Sequence, residues 1–479
     1  MIGFHTPRAT GRASKLGHLA ALTAAAVLIL SGVVAALPAS ASPGAKSGCA
    51  GSLATGTTRF GHIGGVVRAQ RTSPSSCTGA VGGDPHNTGG TPPLIYHGGP
   101  MMSTTANADK LVVTPIFWAP SGFTFTGAYK TLLNTYLADS VADSDKSSNV
   151  FSTLFEYSGS NGFINYRFKK SAAIIDTTAY PTAGCTTNSG AVYSDNSGYT
   201  TCLDDAQIQA EINAQVSAHG LPRNLGNIYV IFLPKHVESC FLAGNNPRNQ
   251  ACTLYPGTTG GYCAYHGEFG GNTVYANMPF PIYNSPVGFT CGSEASLPTN
   301  ESPNGNTDAD VEISPLSHEL AEAITDPDVN TGWYDSSGFE NGDECAYEYG
   351  ATSGSAGALF NQTINGHHYL TQEEFSNNNF NLGQGGCLQT YIPKAKPAVT
   401  KVSPNAGSTA GGQAITITGT TFGGVTAVKF GTTTASFTLV DPTHIKVTSP
   451  AHAAGTVDVK VTNVKGTSAV VAADKYTYS

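Results

Sequence analysis

The sequence has few charged side chains. Lysine, arginine, aspartate and glutamate make up 12% of its 479 residues, which is too little charge for a typical disordered tail. Acidic residues outnumber basic ones by 32 to 24, and the net charge is -8 at pH 7. Because nucleic acids and anionic membranes attract positive charge, the composition argues against binding to either.

Three sequence patterns are absent, and each absence argues against a class of protein. No two cysteines have C-x-x-C spacing, which disfavours a metal site built from cysteine. The chain has no G-x-S-x-G elbow, which disfavours a Ser-His-Asp hydrolase. After residues 19–30, no apolar run approaches the about 20 residues that a membrane-spanning helix needs. The mature chain is therefore expected to have no membrane span.

The N-terminus has the order of a signal peptide. The first 15 residues carry three basic and no acidic side chains, an apolar run follows over residues 19–30, and then Ala39-Ser40-Ala41. This order predicts a signal peptide over residues 1–41 with cleavage after Ala41. An uncleaved anchor is the alternative, but the apolar run is short for one. Cleavage would lower the net charge from -8 to about -11, and the protein is predicted to be secreted.

All ten cysteines follow the predicted cleavage site. An even number of cysteines in an exported chain predicts disulfides. We expect pairing between sequence neighbours, because each such pair closes a modest loop at little entropic cost, and Cys345–Cys387 is the favoured pair. The cysteines are Cys49, Cys77, Cys185, Cys202, Cys240, Cys252, Cys263, Cys291, Cys345 and Cys387.

Residues 42–95 are rich in glycine, serine, threonine and proline. This composition predicts a loosely ordered low-complexity leader, pinned by a Cys49–Cys77 disulfide, and a pro-segment is one interpretation of it. The main domain is predicted over residues 96–391.

Strands and helices alternate within the main domain. Apolar runs predict buried strands at Leu111–Trp118 and Asn227–Leu233. Helical spacing predicts helices at Tyr129–Leu137 and Asp204–His219, the second with Ile208, Ile212 and Val216 on one face. This alternation favours an α/β or α+β domain, and about 300 residues can bury a substantial core.

The composition changes at residues 392–396, a predicted linker. Beyond it, the β-branched runs AITITGTTF, AVKFG, HIKVTSP, TVDVKVTN and KYTYS alternate with glycine and proline, which predicts a small all-β sandwich. With SPNAGSTAGGQAITITGTTF, these runs resemble an IPT/TIG immunoglobulin-like domain over residues 397–479. The resemblance implies a spacer or binding module, and no catalytic constellation is visible in it.

The strongest chemical signal is the segment SHELAEAITDP, residues 317–327. A helix here should end at Asp326, because the residue before a proline avoids α geometry. His318 and Glu322 are four apart on one helical face, so both can bind one zinc ion. Glu319 occupies the position of the general base in H-E-x-x-H metallopeptidases. Glu322 in place of the second histidine would tighten the cation but reduce its Lewis acidity.

An ordinary amphipathic helix with solvated polar groups is the alternative for this segment. The rest of the helix is mostly leucine, alanine and isoleucine, and a buried histidine with two carboxylates would need a partner or a metal ion. We therefore favour a metal site.

The third ligand must come from outside the helix. Glu340 and Asp343 follow in ENGDEC, where a Cys345–Cys387 bridge would hold the loop rigid. His266, in YCAYHG, is the other candidate. A solvated loop or a structural calcium site is the alternative for the two acidic residues, and a hydrogen-bonded loop histidine is the alternative for His266.

Five segments resemble the EXORDIUM/phosphate-induced protein family in the same order. They are YHGGP, FWAPSG, YCAYHG, PNGNTDADVEISPLSHELAEAITDPDVNTGWY and ENGDECAYEYG, within residues 95–390. The resemblance implies an exported, zincin-like protein with extracellular or cell-wall roles. The motif positions that carry over are His318, Glu319, Glu322, Glu340, Asp343 and His266. The appended IPT/TIG domain departs from the plant members and argues against a growth-signalling role.

Two functions follow from these observations. The first is a secreted zinc-dependent hydrolase of metallopeptidase type, acting on an extracellular protein or glycan polymer. In it, His318, Glu322 and one of the three outside candidates hold Zn²⁺, and Glu319 acts as the general base. The second is a non-catalytic adhesion or glycan-binding protein with a structural metal site.

Overall fold

A computed structural model describes most of the chain beyond the leader. The described residues are 63–68, 70–71, 90–104, 110–182, 184–185, 197–242, 250–253, 261–281, 289–291, 302–329, 331–355 and 357–479. The predicted signal peptide and the predicted Cys49–Cys77 pair lie outside them. Among the described residues, no helix has the length and apolarity needed to cross a membrane.

The described residues are rich in β-structure and contain few helices. The helices are α1 (Tyr129–Ala142), α2 (Asp205–Ala218), α3 (Thr307–Thr325) and α4 (Asn377–Asn381), with short 3₁₀ helices at Val150–Glu156, Asp343–Cys345 and Ala472–Asp474. The strands before the predicted linker are β1 (Ile63–Arg68), β2 (Gln70–Arg71), β3 (Ile95–Tyr96), β4 (Leu111–Trp118), β5 (Ser158–Gly159), β6 (Gly162–Phe163), β7 (Phe168–Lys170), β8 (Ile174–Asp176), β9 (Thr201–Asp204), β10 (Asn227–Phe232), β11 (Val237–Leu242), β12 (Gln250–Cys252), β13 (Tyr262–Phe269), β14 (Thr273–Met278), β15 (Phe289–Thr290), β16 (Trp333–Tyr334), β17 (Gln362–Ile364), β18 (His367–Tyr369), β19 (Glu374–Phe375) and β20 (Cys387–Leu388).

A seven-stranded mixed sheet organises the main domain. Its strand order is β1-β13-β14-β10-β4-β7, and β8 also pairs with β4. Strands β14, β10, β4, β7 and β8 run parallel, whereas β13 is antiparallel to both β14 and β1. Strands β4 and β10 lie at the centre of the sheet and are the two apolar runs that the sequence predicts to be buried. Both predictions are confirmed.

Helices cover both faces of this sheet. On one face, Leu133 of α1 and Leu320 of α3 share a buried apolar cluster with Val230 of β10. On the other face, Ile208 and Ile212 of α2 belong to a second buried cluster that contains residues of β4 and β10. The predicted apolar face of α2 is therefore confirmed. Similarity of the main domain to zincins stays a prediction.

The predicted leader contributes a strand to the main sheet. Strand β1 pairs antiparallel with β13, with Gly64 opposite His266 and Val67 opposite Ala264. It also contacts helix α3. The described part of the leader is thus ordered at this point, which the glycine-rich sequence did not indicate.

Four disulfides join sequence neighbours, as predicted. They are Cys185–Cys202, Cys240–Cys252, Cys263–Cys291 and Cys345–Cys387. No free cysteine occurs among the described residues. The Cys345–Cys387 bridge ties the 3₁₀ helix Asp343–Cys345 to strand β20, which in turn pairs with β19.

The C-terminal residues form two sheets, as the alternating β-branched runs predict. The strands are β21 (Ala398–Ser403), β22 (Ala406–Gly407), β23 (Ala414–Thr420), β24 (Val425–Phe430), β25 (Thr433–Ala435), β26 (Phe437–Asp441), β27 (His444–Thr448), β28 (Gly455–Asn463), β29 (Gly466–Thr467) and β30 (Lys475–Tyr478). One sheet has the order β21-β23-β27-β26 and the other β22-β30-β28-β24-β25, with β29 paired to β28. Phe155 and Tyr391 of the main domain share an apolar cluster with Phe422 of the sandwich.

Candidate metal centre

Helix α3 carries the H-E-x-x-E segment through the interior. The Asn306 side chain caps its first turn by accepting a hydrogen bond from the backbone N–H of Ala309, and Pro315 lies inside the helix. The helix ends at Thr325 with Asp326 as C-cap, next to Pro327, as predicted.

Every residue of α3 from Ala309 to Thr325 is buried. His318, Glu319 and Glu322 are each 0% exposed. The alternative of an amphipathic helix with solvated polar groups is therefore wrong. Ionised groups buried in this way are costly unless they are paired, protonated or bound to a metal ion.

His318 belongs to one triad of potential ligands with Glu322 and Asp343. Its Nε2 lies 3.0 Å from Glu322 Oε1 and 3.8 Å from Asp343 Oδ1. The backbone N–H of Asp343 donates to the same Glu322 oxygen over 2.7 Å. One ligand atom from each of the three residues lies within 4.8 Å of the other two.

His266 belongs to a second triad with Glu322 and Glu340. Strand β13 carries this histidine, whose Nδ1 lies 3.8 Å from Glu322 Oε2 and whose Nε2 lies 3.8 Å from Glu340 Oε2. The same ring lies 3.2 Å (Nδ1) from Glu319 Oε2 and 3.3 Å (Nε2) from the Asp326 carbonyl oxygen. Glu319, the predicted base, thus lies against His266.

The structure therefore brings all of the residues predicted for the site together in one buried cluster. They are His266, His318, Glu319, Glu322, Glu340 and Asp343. Asp343 is 3% exposed, and the others are 0% exposed. This proximity meets the first requirement for a metal site, which is a set of ligand atoms close together.

Glu374 is a further acidic residue of this site, and the sequence analysis did not find it. It is 0% exposed, lies in β19 and interacts electrostatically with His318. The short β19–β20 pairing and the Cys345–Cys387 bridge place it beside the loop that carries Asp343. In the sequence, Glu373-Glu374 looks like a pair of solvent-exposed acidic residues. A prediction that Glu374 lies in a strand packed near helix α3 would have been needed to identify it as buried.

The electrostatics of the cluster favour positive charge. Burial lowers the pKa of the His318 imidazole, but the Glu322 and Asp343 carboxylates outweigh burial and raise that pKa to about 9. Burial raises the pKa of Glu374 well above its usual range; the nearby His318 lowers this pKa, and the same two carboxylates raise it. A divalent cation would relieve the part of each shift that the carboxylates cause, because it neutralises the carboxylates that hold the proton on His318.

The donor set fits a transition metal ion. His318 Nδ1 and Glu322 Oε2 are buried and have no hydrogen-bond partner in the described part of the chain. Ligand atoms on one zinc ion lie roughly 3–4 Å apart, given bond lengths of about 2.0–2.2 Å. The 3.0 Å and 3.8 Å separations around His318 agree with this range. Imidazole nitrogens disfavour calcium, which takes oxygen ligands.

Gly342 allows the loop to approach the helix closely. A Cβ atom at this position would lie 2.8 Å from the His318 ring atoms Cγ and Nδ1 and 2.9 Å from Glu322 Oε1. Its φ of -76° is accessible to any residue, so the requirement for glycine is steric rather than conformational. The Gln372 side chain donates a hydrogen bond to the Gly342 carbonyl oxygen over 2.8 Å and so holds the loop in place.

Comparison with known families identifies the C-terminal part of the chain. Residues 397–478 match the IPT/TIG domain family. They form an IPT/TIG domain. The predicted resemblance of this region is therefore confirmed almost to its last residue, while the resemblance of the main domain to the EXORDIUM/phosphate-induced proteins stays a prediction. No curated protein matches the chain.

Solved structures match only part of the chain. The extracellular region of plexin A4 is 18% identical over 23% of this chain and 10% of that chain, with a TM-score of 0.17. SGBP-B from a xyloglucan utilization locus in Bacteroides uniformis is 18% identical over 24% of this chain and 28% of that chain, with a TM-score of 0.16. The chain thus spans less than a third of the length of either structure.

Proposed function

We propose that the chain is an exported, zinc-dependent hydrolase of zincin-like type that acts on an extracellular protein or glycan polymer. The observation that carries the proposal is the buried triad of His318, Glu322 and Asp343, which offers a nitrogen and two carboxylate oxygens at metal-ligand spacing. The resemblance of the surrounding segments to the EXORDIUM/phosphate-induced proteins supports it. Four disulfides are typical of proteins outside the reducing cytosol and support export.

The residues around the triad would perform the proton chemistry. A zinc ion supplies a Lewis acid that polarises a carbonyl group and activates water. Glu319 lies next to the first ligand in sequence and would accept the proton of the attacking water. His266 lies 3.2 Å from Glu319 Oε2 and would fix the direction of that carboxylate. Asp343 is held by its own backbone hydrogen bond to Glu322, so the two acidic ligands are positioned together.

A non-catalytic extracellular adhesion or glycan-binding protein is the second candidate. The specific observation in its favour is the complete burial of His266, His318, Glu319 and Glu322, because a metal centre closed off by protein is typical of a structural role. The IPT/TIG domain would then be the binding module.

Metal analysis combined with a hydrolysis screen separates the two candidates. The purified protein should contain zinc and should hydrolyse at least one of a varied set of proteins and glycans in a chelator-sensitive manner. Zinc without any chelator-sensitive hydrolysis would favour the structural role. Absence of any transition metal would contradict both forms of the proposal.

Substitution of Glu319 by glutamine tests the base. The change keeps the size of the side chain, so zinc should be retained while turnover falls about a hundredfold or more. Glu211→Gln is the matched control, because Glu211 lies on α2 at the opposite face of the sheet. Unchanged turnover in Glu319→Gln would contradict the assignment of this residue as the base.

A further inference from the structure

Glu322 faces two imidazoles with different oxygens. Its Oε1 lies 3.0 Å from His318 Nε2, and its Oε2 lies 3.8 Å from His266 Nδ1. The Oε2 atom is buried and has no hydrogen-bond partner among the described residues. One carboxylate thus serves both triads, with one oxygen directed to each.

One metal ion does not account for both imidazoles. The potential ligand atoms that lie within 4.8 Å of one another form a set around His318 and a set around His266, and in the described part of the chain neither set contains both histidines. A single ion in the first set would leave His266 and Glu340 outside its coordination shell.

Hydrogen bonding at His266 leaves one ring nitrogen for a cation. When Nδ1–H donates to Glu319 Oε2, 3.2 Å away, the Nε2 lone pair faces Glu340 Oε2 at 3.8 Å and the Asp326 carbonyl oxygen at 3.3 Å. A lone pair that faces oxygen atoms is repelled unless a proton or a cation lies between them. A carboxylate that fixes the tautomer in this way is a common support for a metal-ligating histidine.

We propose that the cluster binds two divalent cations bridged by Glu322, the second of them held by His266, Glu322 and Glu340. The inference shares its first ion with the proposed function and adds a second site. A carboxylate-bridged pair at roughly 3.5–4 Å is the arrangement that clamps a substrate between two metal ions in hydrolases. The substrate oxygen would then contact both ions, which narrows the substrate class to carbonyl or phosphoryl groups that can bridge them.

Metal stoichiometry tests the proposal without reference to activity. The full-length protein is stripped with chelator, reloaded with zinc, desalted and analysed for bound metal. We expect about two ions per chain. The variants His266→Ala and Glu340→Gln should each retain about one, because the set around His318 is intact. Glu340→Gln is nearly isosteric and guards against a misfolded alanine variant. His368→Ala, at an exposed histidine, is the control and should bind as wild type.

Manganese(II) loading distinguishes a bridged pair from two separate sites. Two ions joined through Glu322 should give an exchange-coupled electron paramagnetic resonance spectrum, and Glu340→Gln should restore the spectrum of an isolated ion. If the wild-type protein binds a single ion and His266→Ala still binds it, the two-ion inference is overturned. The proposed hydrolase would be unaffected by that result. If the wild type binds one ion per chain and chelation still abolishes its hydrolysis, the two-ion inference fails and the proposed hydrolase stands.

Discussion

Replacement of Gly342 by alanine probes the metal centre without touching a ligand. The new Cβ would lie 2.8 Å from His318 Cγ and Nδ1, whereas carbon atoms in ordinary contact lie about 3.5–4.0 Å apart. The ring or the loop must therefore move by roughly 0.7 Å or more. Metal sites tolerate deviations of about 0.2 Å in their ligand distances, so a shift of this size should disturb coordination.

The expected magnitude follows from the role of Gly342 as a support for the ligands. Changes to groups that position metal ligands typically lower metal affinity by about 10- to 100-fold. This range corresponds to about 1.4–2.8 kcal/mol of binding free energy. The extra methyl group should also destabilise the metal-free fold by about 1–3 kcal/mol, because the position is already tightly packed.

Competition with a fluorescent zinc chelator measures the affinity, and chemical denaturation of the stripped protein measures the stability. Gly220→Ala is the control, because a Cβ there meets no atom within 4 Å, although its φ of +59° strains the backbone. It should lose stability and keep its zinc affinity. A zinc affinity of Gly342→Ala close to that of wild type would refute the reasoning that places His318 in the coordination shell.

Three further changes test other parts of the structure. Removal of the Cys345–Cys387 bridge by serine substitution should lower the free energy of unfolding by about 2–5 kcal/mol. It should also lower zinc affinity, since the bridge holds the loop that carries Asp343. Denaturation curves measure the first effect and chelator competition the second. Protonated His318 stabilises the metal-free fold fully below its ordinary pKa of 6.5, and this contribution is lost as the pH rises through about 9. The stripped protein should therefore have a lower free energy of unfolding at pH 9 than at pH 6.5. The zinc-loaded protein should show a smaller change between the same two pH values. Deletion of residues 397–479 should leave zinc content and hydrolysis of a small soluble substrate largely unchanged, and loss of turnover in a folded truncated protein would contradict the role of the IPT/TIG domain as a spacer or binding module.

The sequence predicts much of the fold where local signals are strong. Helix α2 is predicted at Asp204–His219 and observed at Asp205–Ala218, because Asp204 caps it and forms a capping box with Gln207. Strand β4 matches its apolar run from end to end. Helix α1 extends beyond the predicted end at Leu137 to Ala142, since residues 138–142 contain no glycine or proline to stop it.

The site residues were predictable from motif spacing, but their arrangement was not. His318 and Glu322 follow from helical periodicity, and the sequence also indicates His266, Glu340 and Asp343 as candidates. The division of these residues into two triads depends on which oxygen of Glu322 faces which imidazole, and such distances arise only from the packing of β13 against α3. Glu374 enters through a two-residue strand pairing, which leaves no periodic pattern in the sequence.

The pairing of Ile63–Arg68 with Tyr262–Phe269 has a practical consequence for any shortened form of the protein. A chain that began at residue 96, the predicted domain boundary, would lack that strand and would leave Tyr262–Phe269 as an open sheet edge. Unpaired N–H and C=O groups along such an edge template association with other chains. We expect the truncated protein to self-associate, which would be visible as concentration-dependent light scattering. The cause would be the missing hydrogen-bond partner of Tyr262–Phe269, so the leader would protect the sheet from aggregation.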